Sequence, residues 1–170
     1  MSFSFVPQYA FHRFTDISPG FLGELGVKFL MLDLDNTIAK YSESTPTDSV
    51  VRWISDMKNS SIELFFVSNS RRKCRVEIFA NTLGIGYIKR ARKPSPRGLL
   101  SAMESAGFCA GESALVGDQI FTDTFAANRT GVISIIVRPI CLKNPFRAVR
   151  FAIETPFRAM CARKGGYGQY

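Results

Sequence analysis

Short apolar runs alternate with amphipathic stretches through the middle of the chain. Val27–Leu34, Ile62–Val67, Ile85–Ile88, Ser113–Val116 and Val132–Val137 are the apolar runs. Each is four to eight residues long and ends at polar or turn-forming residues, the signature of a strand buried on both faces. Between them, apolar positions recur every three to four residues, which predicts helices over Thr47–Asn59, Arg71–Leu83, Pro96–Ala106 and Ile120–Arg129. Thr47 is placed to cap the first of these. Gly84, Gly107 and Gly131 follow the other three as stops. Strand and helix patterns therefore alternate five times with short connections. That alternation predicts an α/β fold with a doubly wound, mostly parallel sheet.

The flanks break the pattern. Residues 1–26 carry Phe3, Phe5, Tyr9, Phe11 and Phe14 with little periodicity, and are expected to form an arm packed on the domain or close to a membrane. Residues 27–142 are the expected domain, and 143–170 an appended tail. In the tail, Asn144 can cap a helix that starts at Pro145. Phe146, Val149, Ile153, Phe157 and Met160 share one face, and Arg147, Arg150, Arg158, Arg163 and Lys164 lie mostly off it. A basic amphipathic helix of this kind is expected at a membrane surface. Pro156 is expected to kink or split it. Packing against the domain's own surface is the other use of such a face.

Composition narrows the class. With 46% hydrophobic residues in 170, the chain can build one globular core. Its longest unbroken apolar runs, such as Phe29–Leu32 and Leu64–Val67, fall far short of the roughly 20 residues of a membrane span. Met1–Phe14 has neither a basic leader nor an apolar core, so no secretory signal is expected. The four cysteines are scattered and there is one histidine, which argues against a zinc site and favours free thiols in the cytoplasm over the disulfides of a secreted protein. A net charge of +8 favours a polyanionic partner: nucleic acid, an anionic membrane surface or a phosphorylated substrate.

The chemistry lies at the strand ends. Asp33 and Asp35 sit at or just past the C-terminal edge of the first predicted strand, Ser68 and Asn69 follow the second, Lys93 the third, and Asp118 the fourth. Parallel strands would bring all of these to one edge, where open α/β sheets bind ligands. Two carboxylates two residues apart repel and require a cation or a shared proton. Three carboxylates with nearby Ser and Asn oxygens suit a hard cation such as Mg²⁺. Ser68 and Lys93 add a hydroxyl and a fixed positive charge suited to a phosphoryl group. Taken singly, each has a plainer use. Ser68-Asn69 could be a turn, Lys93 one charge of the run from Lys89, Asp118 a helix cap, and Asp123 a carboxylate favoured by the helix dipole.

In order, Asp33-Leu-Asp35-Asn-Thr37, Val67-Ser68-Asn69, Lys93-Pro94 and Gly117-Asp118-x4-Asp123 resemble the four motifs of the haloacid dehalogenase (HAD) phosphohydrolases over roughly Val27 to Pro139. The forms Ala91-Arg92-Lys93-Pro94 and Gly117-Asp118-Gln119-x2-Thr122-Asp123 resemble a narrower branch, the YqeG-type subfamily of HAD class III, related to mitochondrial phosphatidylglycerophosphatase. The resemblance implies a HAD-like Rossmannoid fold and a phosphatase. It implies Asp33 as the nucleophile and Asp35 as the general acid and base. It implies Ser68 and Lys93 as holders of the phosphoryl oxygens, with Thr37 and Asn69 as further substrate contacts. Mg²⁺ would be held by Asp33, the backbone carbonyl of Asp35, and Asp118, with Asp123 behind them orienting Lys93 or a metal-bound water.

HAD enzymes often insert a cap domain after the first or second motif. The gaps Thr37 to Ser68 and Ser68 to Lys93 have room for one helix and one strand each, so a capless site is expected. An open site favours large or surface-presented substrates. The branch implies phosphatidylglycerophosphate, hydrolysed to phosphatidylglycerol by an enzyme in peripheral contact with the inner face of an anionic membrane. Two other functions fit the same residues less well. One is a phosphatase of a soluble phosphometabolite, nucleotide or phosphoprotein. The other is a nonenzymatic RNA- or ribosome-binding module, disfavoured because a binder has no need of both Asp33 and Asp35.

Overall fold

A computed structural model describes residues 4–72 and 74–163. Six parallel strands form one sheet: β1 Tyr9–Phe11, β2 Phe29–Leu32, β3 Glu63–Ser68, β4 Gly86–Lys89, β5 Ser113–Gly117 and β6 Ile133–Val137. Their order across the sheet is β1-β6-β5-β2-β3-β4. From β2 in the middle, β3 and β4 extend the sheet one way and β5 and β6 the other, with β1 added at the far edge beside β6, so the strand-order switch falls between β2 and β5. The helices are α1 Pro19–Glu24, α2 Asp48–Asn59, α3 Arg75–Leu83, α4 Arg97–Ala106, α5 Phe125–Thr130 and α6 Pro145–Arg163.

β2 is apolar throughout, and β3, β5 and β6 are mostly so, because both sheet faces are covered. Successive side chains of a strand point to opposite faces. Leu30 and Leu32 of β2 pack with Phe66, Ile54, Met57 and Phe79 under α2 and α3. Phe29 and Met31 pack with Leu99, Ala102, Met103 and Ala126 under α4 and α5. Phe29 also stacks on Phe108, with ring centroids 5.0 Å apart. Among the described residues, α2 and β3 are the elements between Thr37 and Ser68, and α3 and β4 those between Ser68 and Lys93, so neither gap holds a domain-sized insertion.

Four expectations change. The arm contributes β1, which pairs with β6 from Tyr9↔Ile135 to Phe11↔Val137, so the sheet has six strands and not five. Three residues flanked by Gln8 and His12 are too short to carry a strand period. They become a strand because β6 offers a free edge and Ala10 is fully buried beside Ile136. Second, the predicted helix from Arg71 begins only at Arg75, which leaves Asn69 to Arg72 as loop at the site. Third, the helix from Ile120 opens as a π-helical turn over Ile120–Thr124 before α5.

The tail is the fourth. α6 runs unbroken through Pro156. Proline removes one helix hydrogen bond, but Ala152 and Pro156 face solvent, where water can serve the freed carbonyl. Its inward face is Glu154, Phe157, Arg158 and Cys161, so of the expected apolar row Phe157 packs on the domain and the others do not. Phe157 meets Phe5 and Phe121 at 5.7 and 5.9 Å between ring centroids. Arg158, expected off the packed face, is buried. Its Nη1 donates to the Val137 carbonyl at 3.0 Å, its Nη2 donates to the Asp118 carbonyl, and Glu154 faces it at 3.4 Å. Phe146, Val149, Ile153 and Met160 remain exposed. The Lys164 expected to join the basic set lies outside the described residues, as does the side chain of Arg163.

Candidate active site

Parallel pairing brings the polar strand ends to one edge. Asp33 follows β2 directly and donates its N–H to the Val116 carbonyl of β5 at 2.9 Å, so the ladder holds its backbone. Asp118 follows β5. Ser68 ends β3 and is fully buried, its Oγ accepting from the Ser70 N–H at 3.1 Å. Lys93 enters from the loop after β4. That loop is clasped by Asn69, whose Nδ2 donates to the Lys93 carbonyl at 2.8 Å and whose Oδ1 accepts the Lys93 N–H at 2.9 Å.

Lys93 Nζ is the hub. It lies 2.7 Å from Asp33 Oδ1 and 2.8 Å from Asp123 Oδ1, with all three side chains buried. The π-helical turn aims Asp123 inward, and Asp123 Oδ2 accepts the Gln119 N–H at 3.1 Å. Such wide turns allow a side chain to leave the ordinary helix face. Gly117 makes this approach possible, because a Cβ there would stand 2.4 Å from the Asp123 Cβ and Cγ.

Thr37 is placed behind the carboxylates, on a neighbouring cavity and not on the one that Asp33 and Asp35 line. Its Oγ1 lies 3.2 Å from Asp33 Oδ2 and 3.4 Å from Asp118 Oδ1. Asp35 is turned away from this group. Its Oδ1 accepts from Arg75 Nε at 2.8 Å, and Arg75 is held in turn by the carbonyls of Lys40 and Glu43. Asp33, Asp35, Ser68 and Asn69 line an open cavity of about 400 Å³, together with Tyr41 and Arg71.

Oxygens of Asp33, Asp118 and Asp123 lie within 4.8 Å of one another. Burial raises Asp33 from 3.8 to about 6, against the pull of Lys93 and with help from Asp123 and Asp35. Burial, then Asp123 and Asp33, raise Asp118 from 3.8 to about 8. Burial alone would lower Lys93, but Asp123 and Asp33 outweigh it and hold it protonated, above its ordinary value. Three buried carboxylates thus face one buried ammonium, an imbalance that a divalent cation would correct. The donor set is all oxygen, which fits a hard dication. Asp123 is part of the carboxylate cluster itself as well as the partner of Lys93.

Several residues join the site that the motifs alone did not single out. Asn36 has φ 70°, in the left-handed region that Asn tolerates. Its Nδ2 donates to Asp118 Oδ2 at 3.3 Å and its Oδ1 accepts the Cys141 N–H at 2.8 Å. Arg75, the first residue of α3, is buried and holds Asp35. Arg147 lies over the Tyr41 ring at 3.6 Å, which brings α6 to the cavity rim. Asn36 could have been found from its place inside the first motif. Nothing in local sequence marks Arg75, Arg147 or Arg158.

A HAD-hydrolase-like family model matches residues 90–139, the span that holds Lys93, Asp118 and Asp123. A Bacillus subtilis (strain 168) protein named Probable phosphatase YqeG is 31% identical over 160 residues, covering 94% of this chain and 92% of its own. The chain belongs to the HAD-like phosphatases. Solved structures agree on the HAD-like fold at low identity. The cobalt-bound deoxy-D-mannose-octulosonate 8-phosphate phosphatase of Haemophilus influenzae matches with TM-score 0.52 and 13% identity over 81% of this chain and 92% of that one. The 3-deoxy-D-manno-octulosonate 8-phosphate phosphatase of Yersinia pestis matches with TM-score 0.52 and 14% identity over 81% and 85%. Among the described residues of this HAD-like chain, no helix is long and apolar enough to cross a membrane.

Proposed function

We propose that this phosphatase hydrolyses a phosphate monoester through an aspartyl-phosphate on Asp33, with Mg²⁺ as cofactor and phosphatidylglycerophosphate as substrate. The observation that carries the chemistry is the Asp33–Lys93–Asp123 contact beside Asp118, opening on a cavity that Asp33, Asp35 and Ser68 share. Asp33 attacks phosphorus and the ester P–O bond breaks. Asp35, oriented by Arg75, gives its proton to the leaving oxygen, then takes one from the water that releases phosphate from Asp33. Lys93 and Ser68 hold phosphoryl oxygens, and Lys93 screens the charge of Asp33 as the phosphate approaches. Mg²⁺ would be held by Asp33, Asp118 and the Asp35 carbonyl, with Asp123 alongside, and supplies charge neutralisation for the transferring group.

The lipid substrate is supported by the open strand edge and by α6. Phe146 is 85% exposed, Val149 60% and Ile153 57%, on the helix whose Arg147 reaches the cavity rim. An interfacial helix so placed would bring a headgroup to Asp33 without extracting the whole lipid. The test is phosphate release from phosphatidylglycerophosphate in vesicles, soluble phosphate esters and a phosphopeptide, with and without Mg²⁺. The lipid is expected to be turned over fastest, only with metal, and not by Asp33→Asn. Equal turnover of soluble esters sinks the lipid reading, and near-native turnover by Asp33→Asn sinks the covalent one.

A further inference from the structure

A second cavity, about 690 Å³, adjoins the first and is lined by Asn69, Arg71, Arg90, Arg92 and Lys93. The two share Asn69 and Arg71. Among the described residues, no carboxylate lines the second. Among the described residues, no hydrogen bond or ion pair engages the guanidinium groups of Arg71, Arg90 and Arg92, and all three side chains are exposed. Three unpaired guanidinium groups converging on one cavity repel one another and are neutralised by a bound anion.

The loop is built to hold them there. Arg90 and Arg92 have φ 54° and 58°, in the left-handed region that arginine rarely adopts. Ala91 and Lys93 between and after them are buried. Ala91 donates its N–H to the Ser68 carbonyl at 3.0 Å, and Asn69 clasps Lys93 from both sides of its peptide. Gly98 backs the loop so closely that a Cβ there would stand 2.7 Å from the Ala91 Cβ. The backbone therefore turns Arg90 and Arg92 outward while it sends Lys93 inward to Asp33. A strained backbone that sets two charges beside a reaction centre points to a ligand.

We propose that Arg71, Arg90 and Arg92 form a second anion subsite, which takes a phosphate that the substrate carries in addition to the one hydrolysed at Asp33. The proposal rests on that reading of the Asp33 site and narrows it to substrates whose second phosphate lies close enough to the first to enter the adjoining cavity. A phosphodiester of a lipid headgroup and a free second phosphate offer the same chemistry.

The test compares matched ligands on the full chain with Mg²⁺. One pair is propane-1,3-diol monophosphate and bisphosphate. The other is dihexanoyl phosphatidic acid and dihexanoyl phosphatidylglycerophosphate below their micelle concentrations. Binding is read by calorimetry in an Asp33→Asn background, and kcat/KM in the otherwise wild-type protein. The second phosphate should tighten binding at least about 10-fold, the worth of one charge-assisted contact. Arg90→Gly with Arg92→Gly should erase that gain and leave the monophosphate Kd and kcat unchanged. Glycine is chosen because it adopts positive φ freely, so the loop keeps its path. Arg97→Gln, an exposed arginine off the cavity, should change nothing. A gain in both pairs assigns the subsite to any second phosphate, and a gain in the lipid pair alone assigns it to the headgroup diester. No gain in either pair, a gain that survives the double variant, or equal loss on single-phosphate ligands overturns the proposal. An intact binding gain without lipid turnover sinks the lipid substrate and leaves the subsite standing.

Discussion

Arg158→Met removes the group that ties α6 to the active edge. The arginine is 3% exposed and Glu154 1% exposed, and they face each other at 3.4 Å. The guanidinium also donates to the carbonyls of Val137 and Asp118. Truncation leaves a buried carboxylate without its counter-charge and both carbonyls without this donor. Breaking a buried pair from one side costs about 3–5 kcal/mol. For a chain of this size that is a fall of roughly 6–20 °C in Tm, measured by scanning calorimetry with urea denaturation alongside. Glu154→Gln added to Arg158→Met removes the stranded charge and should recover at least about 1 kcal/mol. Phosphate release should fall as well, because the lost donor held the peptide that carries Asp118. Stability of Arg158→Met within about 1 kcal/mol of wild type would refute the placement, and so would a double variant less stable than the single.

The remaining predictions concern the metal, the close approach at Gly117 and the outer face of α6. Asp118 is raised to about 8 from 3.8 by burial and its acidic neighbours, so the folded chain holds that proton more tightly than the unfolded one. Stability without metal should therefore decline as pH rises from about 4 through about 8, and Mg²⁺ should raise Tm more at pH 8 than at pH 5, where protons compete for the carboxylates; equal Tm gains at both pH values would contradict this. Gly117→Ala puts a Cβ 2.4 Å from Asp123 and should lower kcat about 100-fold through misplacement of Asp123 and Lys93; near-native kcat would show that the contact yields without consequence. Phe146→Ser with Val149→Ser and Ile153→Ser should leave Tm unchanged, because these side chains are exposed, and should abolish cosedimentation with anionic vesicles, each apolar side chain being worth up to about 1.5–3 kcal/mol when buried; unchanged cosedimentation would separate α6 from the membrane.

Much of the architecture was legible in sequence because the strands are buried on both faces. Phe29–Leu32, Leu64–Val67 and Ile135–Val137 are apolar without interruption, and each stops where the sheet edge meets solvent and ligand. The positions of Asp33, Ser68, Lys93 and Asp118 were legible for the same reason, since parallel strands send every C-terminal end to one side. What local sequence could not carry is anything decided by a distant partner. β1 exists because β6 has an edge to fill. The helix after Arg71 starts late because Asn69 clasps Lys93 across 24 positions and keeps the loop extended. The inward face of α6 is the clearest case. Its period displays Phe146, Val149 and Ile153 as the natural buried stripe, yet the fold leaves these outside and buries Glu154 and Arg158. Periodicity ranks side chains by transfer to an apolar interior. It carries no information about the two backbone carbonyls, at Val137 and Asp118, to which a long cation from the last helix donates.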